Sequence, residues 1–190
     1  MRNYIKTLNK NSFIKKIFYL ALFFSFVPYE LNSVNAGIEF QWDADSNYKQ
    51  LRWYQRTSQK KAKNKIFLFL KPSDRKTGLL SINIKMPKKL KSSIKPKNVS
   101  ICKVNIGGLN SRTKCLQNIP SDVEINKETR KINIYPINPL PSNKDPYAIV
   151  FNLINPQRSG LYQFHSFGKS SGPIPVSTYL GSWTIKIEEQ

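Results

Sequence analysis

After residue 37 the chain is a succession of short runs of β-branched and aromatic residues separated by Pro, Gly, Asn and Ser. The run KIFLFL (65–70) is almost wholly apolar, as a buried central strand would be. The run LLSINIKM (79–86) alternates apolar and polar residues, and Pro87 ends it. Helical periodicity is nearly absent. The pattern predicts an all-β, antiparallel, immunoglobulin-like β-sandwich of seven to nine strands, forming one domain over 37–190.

The last two runs predict how the sandwich ends. GLYQFHSF (160–167) opens with Gly-x-Tyr, which is similar to the tyrosine corner of immunoglobulin-like sandwiches. Strict alternation in YLGSWTIKI (179–187) predicts a core-facing row made of Tyr179, Gly181, Trp183, Ile185 and Ile187. The proline-rich segment 136–146 predicts extended chain rather than helix.

The only two cysteines, Cys102 and Cys115, flank a Gly-Gly pair with C-x12-C spacing. Zinc sites usually need four ligands and thioredoxin-like sites use C-x-x-C, so a structural disulfide is favoured. A type II′ turn at Gly108-Leu109 would place Cys102 directly opposite Cys115 in a hairpin. Such a bridge would contribute about 3 kcal/mol in the chain-entropy model.

The first 36 residues have the form of a secretory signal peptide. Five basic residues precede an apolar run at 17–27, and Val34-Asn35-Ala36 provides a small-residue cleavage site. A retained membrane anchor is the alternative, but 11 apolar residues are fewer than the roughly 20 needed to span a bilayer. We therefore expect an exported protein, periplasmic or extracellular, that does not span the membrane once mature.

The chain is strongly basic. Removing the five basic residues and Glu30 of segment 1–36 from 31 Lys+Arg and 11 Asp+Glu leaves a net charge of +16. Such a charge attracts anionic glycans, lipid headgroups and nucleic acid, although export argues against a physiological nucleic-acid partner. An A/T-rich genome is the alternative cause, because Lys, Asn and Ile are abundant together and only seven of the 31 basic residues are Arg.

Aromatic and basic side chains interleave between positions 42 and 65, which suggests a binding surface for anionic envelope glycan or lipid headgroups. Alternatively, these aromatic residues lie in the core and the lysines form a solvated loop. The candidate residues are Trp42, Tyr48, Arg52, Trp53, Tyr54, Arg56, Lys60, Lys61, Lys63 and Lys65.

Several motifs resemble a family of small exported cyanobacterial proteins that is known only as a domain of unknown function. They include NPQRSGLYQFHSFG (155–168) and STYLGSWTIKI (177–187), together with the IFLFLKP and LLSINIKMP runs and the Cys pair flanking Gly-Gly. The likeness extends over roughly 37–187. It implies an exported β-rich domain and no catalytic residue.

Other chemistry has weaker support in the sequence. His165 is the single histidine, and a Ser-His-Asp site would need an acid and a nucleophile beside it. DADSN (43–47) begins like a calcium loop, but Tyr48 and Tyr54 stand where that loop needs Gly and Glu. We expect a monomeric, non-catalytic envelope protein without cofactor or metal. The alternatives are an envelope-polymer hydrolase and a purely structural or assembly partner.

Overall fold

The computed structural model describes residues 49–90 and 94–189. Two short 3-10 helices lie at Pro72–Asp74 and Pro96–Asn98, and the rest of the regular structure is β. The strands are β1 (Trp53–Gln55), β2 (Lys63–Leu70), β3 (Leu79–Lys85), β4 (Val99–Asn105), β5 (Lys114–Ile119), β6 (Ser121–Asn126), β7 (Lys131–Pro136), β8 (Tyr147–Ile154), β9 (Gly160–Ser170) and β10 (Ser177–Ile187).

The strands form two five-stranded antiparallel sheets. The first sheet has the order β1-β2-β8-β4-β5 and the second the order β10-β9-β3-β7-β6. The predicted antiparallel sandwich is confirmed, with ten strands in the described residues rather than seven to nine. The strand β1 was missed because its three residues, Trp-Tyr-Gln, are too few to show a period.

The main core lies between the sheets. Alternate residues of β2, namely Ile66, Leu68 and Leu70, are buried in it, whereas Phe67 and Phe69 belong to a separate apolar cluster with Cys102 and Val104. The strand β2 is therefore apolar on both faces, as its unbroken apolar run predicts. From the second sheet, the buried Trp183 donates its indole N–H to the Phe69 carbonyl at 3.1 Å and so ties the two sheets together.

The segment 49–59 contacts both sheets. The Leu51 amide donates to the Ser182 carbonyl of β10 at 2.8 Å, and the Phe69 amide of β2 donates to the Arg52 carbonyl at 3.0 Å. Further along, Gln59 forms a parallel bridge with Glu188. This segment therefore provides the edge strand β1 of the first sheet and hydrogen-bonds to the edge strand β10 of the second, so that it connects the two sheets on that side.

The predicted disulfide is present, but the predicted hairpin geometry is wrong. Cys102 and Cys115 are bonded with 5.7 Å between their Cα atoms. In the strand register, however, Cys102 lies opposite Asn118, and Cys115 lies opposite Val104. Gly108 pairs with Ser111, so the turn centres on Leu109-Asn110, and Gly108 lacks the positive φ that a type II′ turn requires. An irregularity between Lys103 and Val104 brings the two cysteines together diagonally.

A second correction concerns β10. A bulge between Tyr179 and Gly181 breaks the alternation and turns Leu180 into the core. The Tyr179 hydroxyl lies instead 2.6 Å from Ser182 Oγ, away from Trp183. The predicted core row therefore begins after the bulge, at Trp183.

The proline-rich segment before β8 is not helical, as predicted, but it bends at 137–138 and 142–144 instead of remaining extended, and a buried arginine holds it. Leu140 pairs with Leu79, and the Arg75 guanidinium donates to the carbonyls of Pro141 (2.9 Å) and Asp145 and lies 4.7 Å from the Tyr147 ring centroid. Burial lowers the pKa of Arg75, with Tyr147, Asp145 and Asp74 acting in the opposite direction. Arg75 is thus a structural cation.

Candidate functional site

A groove of about 920 Å³ lies where three connections of the sandwich meet. Its residues come from the β1–β2 and β3–β4 connections, from the segment after β8, and from the adjoining ends of β2, β8 and β9. Its size falls within the usual range of ligand sites. Loops at one end of a β-sandwich are common recognition elements, because the sheets hold them in place.

Positive charge dominates this groove. Seven of its sixteen described lining residues are cationic, and none of the sixteen is Asp or Glu. Five more are amides, of which Asn98, Asn152 and Gln157 can hydrogen-bond hydroxyl, carboxylate or sulfate groups, whereas Asn64 and Asn155 are buried. We call this site the basic groove; its cations are Arg56, Lys63, Lys65, Lys89, Lys95, Lys97 and Arg158.

The ion pairs of the described residues leave several cations of the basic groove unneutralised, although Glu188 and Glu189 lie beside Arg56 in the adjoining pocket. The ion pairs that join Lys49 to Asp74, Lys60 to Glu189, Lys103 to Asp145 and Lys186 to Glu188 all lie outside its lining. None of the ion pairs described in residues 49–90 and 94–189 involves Lys63, Lys95 or Arg158, and these side chains are exposed. The local potential is therefore positive.

Strand geometry positions the two lysines of β2. Lys63 and Lys65 are two residues apart and so point to the same face, about 6.5 Å apart along the strand. They lie opposite Ile154 and Asn152 of β8. The Lys65 ammonium also lies 5.3 Å from the Phe67 ring centroid, a cation–π contact that keeps its stem against the sheet.

Two buried amides join two of the groove's connections. Asn64 donates to the Thr57 carbonyl at 2.8 Å and to the Asn155 side-chain oxygen at 3.0 Å, and accepts from the Arg56 amide at 3.1 Å. Asn155 donates in turn to the Gln59 carbonyl at 2.7 Å. Because both amides are buried and bonded, they fix the backbone beside Arg56 against the segment that carries Arg158.

Tyr162 holds the other side of that segment. Its hydroxyl donates to the Arg158 carbonyl at 2.8 Å, four residues upstream, which confirms the predicted tyrosine corner. Burial raises the pKa of the Tyr162 phenol, and the charge of Arg158 partly offsets this. At neutral pH the hydroxyl is protonated and able to donate.

The structure does not bring all the sequence-predicted binding residues together. Arg56, Lys63 and Lys65 line the basic groove, whereas Arg52 and Lys61 do not. Trp53 packs against the main core, and Tyr54 is exposed beside Phe67, with ring centroids 6.1 Å apart. Lys60 is paired with Glu189 at 2.9 Å. Trp42 and Tyr48 lie outside the described residues.

Sequence reasoning missed the other half of the basic groove. Lys89, Lys95 and Lys97 lie in a lysine-rich connection that looked like ordinary polar chain, and Arg158 lies in the segment after β8. In the sequence, the segments 88–97 and 155–158 indicate positive charge and loop structure. Nothing in their spacing indicated that they meet the start of β2, because strand pairing creates that contact.

His165 lies in a different environment, on β9. Its Nδ1 is 2.7 Å from the Ser182 hydroxyl oxygen, and that hydroxyl also contacts the Tyr179 hydroxyl. Ser182 is fully buried, so its oxygen is not accessible as a nucleophile in this conformation. The contact between His165 and Ser182 joins β9 to β10, because these two residues are directly paired across the strands.

Two further expectations concern residues outside the described part. The signal-peptide segment 1–36 and the calcium-loop sequence 43–47 both lie there. Across residues 49–90 and 94–189, no three His, Cys, Asp or Glu side chains are grouped as metal ligands. Within the same ranges, no helix combines the length and apolar character needed to cross a membrane.

Residues 40–187 match the family described as "Protein of unknown function (DUF2808)". No curated protein matches the chain. Among solved structures, BslA, a bacterial hydrophobin, is 12% identical with a TM-score of 0.46, covering 76% of this chain and 98% of that one. The collagen-binding subdomain of the Enterococcus faecalis surface protein ACE is 9% identical with a TM-score of 0.42, covering 75% and 99%. A collagen-binding domain from a Staphylococcus aureus adhesin is 15% identical with a TM-score of 0.36, covering 70% and 93%. At these low similarities, none of the three structures indicates what this chain binds.

Proposed function

The chain belongs to the DUF2808 family of proteins of unknown function, and from that premise we propose that it is an exported, non-catalytic binding protein for an anionic envelope polymer. The basic groove takes the carboxylate, sulfate or phosphate groups of that ligand. A lipid headgroup and an acidic glycan share this chemistry, and the experiment below separates them.

The observation that carries the proposal is the convergence of seven cations around one groove whose described lining has no carboxylate. Chance enrichment of lysine would scatter cations among carboxylates over the surface. Here, cations from three separate connections face one cavity. The positive potential that these cations share favours a ligand-binding role over the alternative that codon bias alone produced the charge.

The remaining lining favours an extended, hydroxyl-bearing ligand over a lone anion. The amides of Asn98, Asn152 and Gln157 add hydrogen-bonding groups along the basic groove, as recognition of a sugar chain requires. Lysine ammoniums act as point charges and suit anions of varied geometry. A glycan of acidic sugars fits this combination.

Export is part of the proposal. The formed disulfide supports it, because oxidising compartments preserve such bonds. The signal peptide, a cyanobacterial source, the monomeric state and the lack of a physiological nucleic-acid partner remain predictions of the sequence, as does the hydrolase alternative.

The test measures binding of the purified protein to immobilised polygalacturonate and to vesicles with and without phosphatidylglycerol. We expect binding to the polygalacturonate that weakens steeply between 50 and 300 mM NaCl, conditions chosen so that the Debye length falls well below about 10 Å. Binding to the anionic vesicles alone would assign the basic groove to lipid. Absence of both interactions, or salt-independent binding, contradicts the proposal.

A charge-matched pair of variants tests the site. K95Q/K97Q/R158Q removes three exposed groove cations, and K76Q/K114Q/K144Q removes three exposed lysines from elsewhere. At about 1 kcal/mol per cation, the groove variant should bind at least about tenfold more weakly. The control variant should stay within about threefold of the original protein because only the distant field changes. Equal losses in the two variants would show that net charge, and not the basic groove, binds the polymer.

A further inference from the structure

The outer face of the second sheet carries a second group of cations, separate from the basic groove. A shallow depression of about 470 Å³ crosses β3, β7 and β9 there, and shares no lining residue with the groove. Because side chains alternate along a strand, Ser81, Asn83 and Lys85 of β3 point outward together. Lys131 and Lys169 complete the charged part of this face.

Two of these lysines are direct cross-strand neighbours. Lys85 pairs with Lys131 of β7 on one side and with His165 of β9 on the other. Like charges placed directly opposite each other destabilise a sheet. None of the ion pairs formed by the described residues involves Lys85, Lys131 or Lys169. A bound anion would relieve this repulsion, whereas the unliganded sheet keeps it.

Amides and an aromatic ring lie beside the lysines. The Asn83 amide is hydrogen-bonded to the Asn133 side chain, and Asn83 also pairs with Phe167 of β9. The half-buried Phe167 ring is held by Tyr179, with centroids 5.5 Å apart. A fixed ring can stack on the apolar face of a sugar, while the amides hydrogen-bond its hydroxyls.

The edge strand limits where an anion can lie. Asp122 and Glu124 of β6 are exposed and pair with Tyr135 and Asn133, which places their carboxylates on the same face. They repel an anionic chain from that edge. An acidic ligand is therefore directed along β3 and β9 rather than across the sheet towards β6.

We infer that this face, made of Lys85, Lys131, Lys169, Asn83 and Phe167, is a second binding site for an acidic polysaccharide chain. The outer face of one sheet and the loop groove beside the other sheet are separate surfaces of one domain. One molecule therefore binds two stretches of acidic polymer and can cross-link neighbouring chains. The sheet-face site itself does not depend on the basic groove, whereas the cross-linking of two chains rests on the proposed groove function as well.

The experiment counts sites by calorimetric titration of the purified protein with a short oligogalacturonate, with a neutral oligosaccharide of equal length as control. The original protein should bind two oligogalacturonates and no neutral sugar. K85Q/K131Q/K169Q should bind one, held in the basic groove. K95Q/K97Q/R158Q should also bind one, held on the sheet face. Light scattering of mixtures with long polygalacturonate should show cross-linking only for the original protein.

Three results overturn the inference: a single site in the original protein that the groove variant alone abolishes, two sites in the face variant, or equal binding of the neutral sugar. Conversely, a single site in the original protein that the face variant abolishes and the groove variant keeps would remove the proposed groove function and leave this one. D122N/E124Q provides an independent readout, because removing the carboxylates should tighten face binding about threefold or more. No tightening in D122N/E124Q also counts against the inference.

Without ligand, K131Q should melt slightly above the original protein, and a lower melting temperature would contradict the repulsion argument.

Discussion

At the scale of single residues, Gly181 shows how one position lets the sandwich close. Its φ is +138°, and a Cβ built there would lie 2.7 Å from both Leu51 Cγ and the Lys49 carbonyl oxygen. The bulge of β10 lies at this residue, and segment 49–51 packs against it. Only glycine tolerates both the backbone angle and the close approach.

We therefore predict that G181A is destabilised by at least about 2 kcal/mol, from backbone strain together with steric overlap. Denaturant unfolding measures the change. G160A is a matched control for strain alone, because Gly160 has a φ of +137° with no atom within 4 Å of a built Cβ. G108A, with neither feature, should stay within about 0.5 kcal/mol. A loss in G181A no larger than in G160A would show that the contact with Leu51 and Lys49 is unimportant.

Tyr162 is the second informative residue, because its hydroxyl fixes the segment that carries Arg158. We predict that Y162F loses about 1 kcal/mol of stability at pH 8, the usual net value of one hydrogen bond. It should also bind polygalacturonate more weakly, since Arg158 is then less well positioned.

The pH dependence follows from the raised pKa of Tyr162. An acid whose pKa is higher in the folded protein contributes stability below its unfolded pKa of about 10, and this contribution is lost as the pH rises towards the folded value. The original protein should therefore lose stability more steeply than Y162F between pH 9.5 and 11, a range chosen around about pH 10. Parallel unfolding curves for the two proteins over that range would contradict this assignment.

At the scale of elements, the edge strand β5 is held by a covalent link in addition to its pairing with β4. None of its residues is fully buried, and Cys115 joins it to the buried Cys102 of β4. The strands β2 and β8, further inside the same sheet, are buried along most of their length. The two regions should therefore respond differently to reduction.

We predict that reduction lowers the free energy of unfolding by about 3 kcal/mol in the chain-entropy model, for a loop with a sequence separation of 13. Amide hydrogen exchange should accelerate first in β5, while β2 and β8 stay protected. C102A/C115A is the control and should be insensitive to reductant. Uniform acceleration through all strands would show that the bond stabilises the whole sandwich rather than its edge.

At the scale of the whole molecule, charge is arranged unevenly. Several carboxylates pair with lysines such as Lys49, Lys60 and Lys186. The ion pairs of the described residues include none of Lys63, Lys95 and Arg158 of the basic groove, and none of Lys85, Lys131 and Lys169 of the sheet face. Codon bias can raise the number of lysines, but it does not decide where strands and loops place them. The two surfaces are therefore where function is to be sought.

The sequence by itself determined the fold class, the disulfide, the two-faced burial of β2 and the tyrosine corner. Each rests on local information: a period of two, an apolar run, a cysteine count or a short motif. It erred at Gly108, because the turn lies one residue further along, and at Tyr179, because the bulge in β10 reverses the alternation of the positions that precede it.

Only the tertiary structure decided which cations share a surface. Lys63, Lys95 and Arg158 are far apart along the chain and meet because β2 pairs with β8 and β8 pairs with β4. Lys85 and Lys131 become neighbours through the register of β3 with β7. Binding sites on a sandwich depend on such long-range pairings, which the local pattern of residues does not specify.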